Sequence, residues 1–107
     1  MKKLEGQDVA NISWCDANLI SFEWDNNGRD LILNWARNKK PIGVLTCTWV
    51  RELKINIVMG ENAGGNPLVW NAEMKGISGT KWILSFDFAA QGVIEFTCNE
   101  IFLTVES

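Results

Sequence analysis

Apolar and polar residues alternate with a period of two along most of this chain. Trp82, Leu84, Phe86 and Phe88 fall on one side of a segment, with Ile83, Ser85 and Asp87 on the other. Leu53, Ile55, Ile57 and Met59 repeat the pattern, separated by Lys54, Asn56 and Val58. Successive side chains of a strand point to opposite faces, so this spacing predicts half-buried antiparallel strands.

The same reading extends through the chain. Residues 19–24 alternate with Ile20, Phe22 and Trp24 on one side, and residues 31–37 with Leu31, Leu33 and Trp35. Between them, Asp25-Asn26-Asn27-Gly28-Arg29-Asp30 is dense in turn formers, which predicts a hairpin with a six-residue loop. A basic turn over residues 38–41 leads to residues 42–51, where Leu45, Cys47 and Trp49 share an apolar face and β-branched residues favour a strand. Glu52 interrupts the pattern, as a bulge would. Residues 60–67 hold three Gly, two Asn and a Pro, and read as the longest loop. Residues 68–75 suit either a short helix after Asn66-Pro67 or a strand, with the strand preferred. After a turn over 76–80, segments 82–88, 93–98 and 101–106 read as a meander. Residues 1–18 suit a short helix or a first edge strand. The expectation is one domain over residues 1–107, all-β, an antiparallel sandwich or strongly curved sheet of about seven or eight strands with at most one short helix.

Composition narrows the chemistry more than it suggests any. The 107 residues carry a net charge of -3 and no His. Without His, the common Cys-His and Ser-His nucleophile arrangements and most zinc sites are excluded. Asp25 and Asp30 flank a Gly-containing loop, but Arg29 between them opposes a cation, and the spacing is not that of a calcium loop. Glu23, Asp25, Asp87 and Glu95 are carboxylates of the kind any β protein carries on its outer faces, so they do not indicate a glycosidase pair. No cofactor is implied. The acidic balance argues against nucleic acid, and no apolar run approaches the roughly 20 residues of a spanning helix.

Cys15, Cys47 and Cys98 are odd in number and far apart in sequence. With Glu5, Gln7 and Asp8 where a signal peptide would need apolar residues, the expectation is a cytoplasmic protein with free thiols and no intramolecular disulfide. Cys47 and Cys98, on apolar faces, are expected to be buried.

Six Trp are the remaining lead. Trp35, Trp49 and Trp82 fit apolar strand faces and are expected in the core. Trp14, Trp24 and Trp70 lie near turns or in unpatterned segments and are the candidate binding residues, with Trp70, beside the 60–67 loop, the first choice for a contact anchor.

Three stretches carry a family resemblance: Trp14-Cys15-Asp16-Ala17-Asn18-Leu19, Thr48-Trp49-Val50-Arg51-Glu52-Leu53 and Gly92-Val93-Ile94-Glu95-Phe96-Thr97-Cys98. Their order resembles small bacterial β domains, some assigned as immunity proteins of polymorphic toxin systems. Cys15 stands where those families tend to have His. The resemblance implies a compact β domain without enzymatic activity. The functional expectation is therefore a non-enzymatic domain that binds another protein, immunity-like or accessory; the alternative is a small-ligand or carbohydrate-binding module using exposed Trp.

Overall fold

The computed structural model describes residues 2–5, 17–37, 40–57, 69, 71–77 and 81–104. Nine strands are found there: β1 (Lys2–Lys3), β2 (Asn18–Asp25), β3 (Asp30–Arg37), β4 (Lys40–Thr48), β5 (Arg51–Ile57), β6 (Asn71–Ile77), β7 (Lys81–Asp87), β8 (Gly92–Cys98) and β9 (Glu100–Thr104). A 3-10 turn, Ala89–Gln91, joins β7 to β8. The strands form two wholly antiparallel sheets, ordered β1-β9-β4-β3-β2 and β5-β8-β7-β6. The all-β reading of the sequence is the fold of the protein.

The core lies between the sheets. Leu31, Leu33, Trp35, Leu45, Cys47 and Ile101 supply it from the first sheet, and Leu84, Phe86, Ile94, Phe96 and Cys98 from the second. These residues sit at alternate positions of their strands, so period-two patterning is what filled the interior. The Trp82, Leu84, Phe86 and Phe88 face points inward as expected, Trp82 only half-buried. Across the core, the Trp35 and Phe86 rings approach to 4.9 Å between centroids, tilted by 43°. Aromatic pairs prefer such tilted or offset arrangements because their quadrupoles repel face to face.

Two expectations of connectivity are corrected. The last three strands are not a meander. β8 pairs with β7, but β9 leaves the sheet and pairs with β4 and β1. Only Asn99 separates β8 from β9. One residue is too short to reverse a hairpin, so the chain keeps its direction and bends into the other sheet. The neighbouring strand bends with it, since Trp49 and Val50 carry the chain from β4 to β5. Asn99 N donates to Thr48 O at 2.8 Å across the bend. Pairing runs through this corner, from Thr48↔Glu100 on one side to Arg51↔Thr97 on the other. It slips only at Glu52, whose φ of 55° marks the expected bulge.

Trp49 is the second correction. It is 49% exposed rather than in the core. The β4 alternation stops at Thr48, and Trp49, with φ 53°, begins the corner, so its side chain no longer follows the inward face. Smaller boundaries also shift. The β2–β3 hairpin has a four-residue tip, Asn26 to Arg29, with Asp25 and Asp30 already paired. Asn26, Asn27 and Gly28 there adopt φ of 51°, 59° and 86°, the left-handed region these residue types tolerate. Lys40 and Pro41 belong to β4 rather than to a turn, and β6 runs on through Gly76 and Ile77. Residues 71–75, ambiguous in sequence, are strand, with Ala72 and Met74 against the core.

Candidate functional site

Strand β2 is an edge of the five-stranded sheet. Its inner-face residues extend rows that are core further in. Phe22 pairs with Leu33, which pairs with Leu45. Trp24 pairs with Leu31, which pairs with Cys47. Directly opposed residues of an antiparallel pair share a face. Leu31, Leu33, Leu45 and Cys47 are fully buried, whereas Phe22 is 36% and Trp24 47% exposed. Rows that are core further in thus end on half-exposed side chains, and an apolar ledge is left along β2.

A register slip between Leu19 and Ser21 sets this facing. Leu19 is buried on the inner side, and Ile20, the extra residue of the bulge, is 44% exposed. It borders a groove of about 370 Å³ together with Ser21, Asn34 and Val44. Asn34 Nδ2 donates to Ser21 Oγ at 2.8 Å there. Between the apolar residues β2 carries Glu23 and Asp25, both exposed, and no cation.

The hairpin tip at the end of β2 is fixed to the sheet-switching corner by Asp30, which is 3% exposed. Its carboxylate accepts Arg29 Nε and Nη2, each at 2.9 Å, and Trp49 N at 3.3 Å. Asn26 Nδ2 donates to it as well. Val50 N donates to Arg29 O at 2.9 Å. The Arg29 hydrogen bonds, with further help from Asn26 and the Trp49 amide, outweigh burial and lower the Asp30 pKa to about 2. The Arg29 guanidinium in turn lies 4.9 Å from the Trp49 ring centroid. Trp49 also borders a groove of about 240 Å³, together with Arg51, Lys81, Thr97 and Asn99.

Of the three candidate Trp residues, Trp24 is at the surface on the β2 ledge. Trp14, Trp70 and the 60–67 loop lie outside the described residues. Sequence reasoning missed Arg29, Asp30 and Trp49 as a unit. The Asp-flanked Asn-Asn-Gly-Arg turn was visible, but its contact with a corner 19 residues away was not. Among the described residues, no group of three or more His, Cys, Asp or Glu is placed to hold a metal ion, and no helix is long and apolar enough to cross a membrane.

No protein-family model and no curated protein matches the chain. A solved structure does: the crystal structure of an uncharacterised protein from Neisseria gonorrhoeae. It has 11% sequence identity and a TM-score of 0.69, over 88% of this chain and 95% of that one. At that identity the likeness extends to the fold alone.

Proposed function

We propose that this chain is a non-enzymatic binding domain that takes an extended segment of another protein onto the outer edge of β2. The observation that carries this reading is the ledge: core rows ending on Phe22 and Trp24, half-exposed on a strand that pairs on one side only, with β3, among the described strands. Such an edge offers main-chain hydrogen bonds for affinity and alternate side-chain contacts for specificity. Glu23 and Asp25 define the partner's chemistry. Its apolar side chains would cover Phe22 and Trp24, and its Lys or Arg side chains would lie opposite the two carboxylates. An immunity-like or accessory role in the cytoplasm is the form of this reading that the family resemblance supports.

Chemical-shift titration with two synthetic peptides tests it, one alternating Val with Lys and one alternating Val with Glu. The basic peptide is expected to shift the amides of residues 18–25 and to bind more tightly than the acidic one. A basic peptide that leaves those amides unmoved overturns the proposal.

The Trp49 groove favours a second reading, a small polar ligand held against the Trp49 edge by Arg51, Lys81 and Asn99. Trp49→Ala would abolish such binding and leave peptide binding on β2 intact.

A further inference from the structure

Cys47 and Cys98 lie 51 positions apart in sequence, on β4 and β8, in different sheets. Both are in the core, 0% and 1% exposed. The corner brings them together. Thr48, next to Cys47, accepts a hydrogen bond from Asn99, next to Cys98, at 2.8 Å. The two chain segments bend between the sheets at the same place, and the residue just before Thr48 and the residue just before Asn99 are both inward-facing cysteines. Both cysteines are free thiols and both belong to the same buried core cluster.

We propose that Cys47 and Cys98 are a disulfide site, joining the two sheets at the corner when the chain folds in the presence of a small-molecule disulfide oxidant. This goes beyond the binding role of β2 and does not depend on it. In the structure both are free thiols, in line with the sequence expectation of no intramolecular disulfide; the disulfide belongs to the chain folded in the presence of an oxidant. That expectation rested on an odd count of cysteines distant in sequence; the corner places the two beside one backbone hydrogen bond.

The chemistry balances as two exchange steps. The Cys47 thiol loses its proton, and its sulfur attacks one sulfur of the oxidant. A mixed disulfide forms and one small thiolate leaves. The Cys98 sulfur, deprotonated in turn, attacks the Cys47 sulfur and expels the second small thiolate. The two protons end on the two released thiols. Cys47 and Cys98 are oxidised, and one small disulfide is reduced.

Timing follows from burial. The neighbouring Cys98 thiol, and then desolvation, push the Cys47 thiol well above its ordinary pKa, so thiolate is scarce in the folded state. No oxidant of glutathione size reaches a core position without opening of the sheets. The bond therefore forms during folding and is kinetically protected once made. A link between residues so far apart in sequence restricts the unfolded chain strongly.

The test refolds the Cys15→Ser variant in a glutathione buffer, with oxidised glutathione in excess in one sample and dithiothreitol in the other. In the oxidised sample, thiol titration under denaturing conditions is expected to find no free thiol. Peptide mapping is expected to join the peptides of Cys47 and Cys98. The thermal midpoint is expected to rise by roughly 10 °C over the reduced sample. Two free thiols after oxidative refolding, or glutathione stably attached to either cysteine, would overturn the proposal. A crosslinked species that melts below the reduced protein would overturn it too, because the link would then be foreign to this fold. The comparison uses one variant in two redox states, so it does not require substitution in the core. As a second check, Cys98→Ala should melt at the same temperature in both buffers.

Discussion

Asp30 accepts both the Nε and Nη2 of Arg29 at 2.9 Å, and through that pair the β2–β3 tip is held against the corner between the sheets. The carboxylate is almost completely buried, and each of its partners donates to the charged form. Removing the charge leaves those donors facing an amide that cannot serve them all. Asp30→Asn should cost about 1–3 kcal/mol in urea unfolding at neutral pH. It should also release the Arg29 guanidinium from Trp49, visible as a change in indole fluorescence.

The same group makes a pH prediction with a definite sign. Its pKa is about 2 in the folded protein against 3.8 for an ordinary Asp. A carboxylate whose folded pKa is depressed stabilises the fold above its unfolded pKa, and that stabilisation disappears as pH falls through the folded value. The stability difference between the protein and Asp30→Asn should therefore be constant from neutral pH down to about 4, and shrink between about 4 and 2. Urea melts across that range check it. A difference that stays constant down to pH 2 would show that Asp30 contributes through its shape rather than its charge.

Phe86 tests the core. It is fully buried and packs against Trp35 from the opposite sheet. Phe86→Ala should cost about 3–5 kcal/mol through lost burial and the cavity left between the sheets. In a small domain that is a large share of total stability, so the thermal midpoint should fall steeply.

Why these elements were legible in sequence and the corner was not has a physical basis. Phe86 belongs to an unbroken run of alternation, and a regular strand needs only its own residues to declare its faces. Leu33 and Leu45 were readable for the same reason. Trp49 also continued an alternating run, through Leu45 and Cys47, yet it is exposed. Its position is set by the change of sheet after Thr48, which depends on β9 crossing alongside. Period-two patterning specifies faces within a sheet and is silent on which sheet a strand joins. The apolar character of Phe22 and Trp24 was equally plain. Their exposure follows from the place of β2 at the end of its sheet, a property of the assembled sheets. Cys47 and Cys98 were each read as buried, but their meeting at one place in the fold is a product of the corner.

Gly92 marks a place where backbone comes too close for any side chain. It has φ of 120°, and a Cβ built there would lie 1.7 Å from the Asn56 carbonyl oxygen. Both the backbone region and the space require glycine. Gly92→Ala should cost roughly 2–4 kcal/mol and loosen the β5–β8 pairing at Ile57, seen as faster amide exchange along residues 53–57. Gly76 is the control. Its surroundings are open within 4 Å and its φ is not in the left-handed region, so Gly76→Ala should change stability by about 0.5 kcal/mol or less.

Trp24 and Trp35 lie on adjacent strands and separate surface from core. Trp24 is half-exposed on the β2 ledge, and Trp35 is 2% exposed between the sheets. Trp35→Ala removes a large buried ring and should cost about 3–5 kcal/mol. Trp24→Ala removes a ring that is already partly in water, and should cost about 1 kcal/mol or less in the isolated protein. Acrylamide should quench the emission lost in Trp24→Ala and spare the emission lost in Trp35→Ala. If β2 is the docking edge, the same Trp24→Ala protein should fold normally and bind the alternating Val-Lys peptide at least tenfold more weakly, a loss of about 1.4 kcal/mol or more for truncating a central aromatic contact. Unchanged binding by a correctly folded Trp24→Ala protein would place the contact elsewhere than on the ledge.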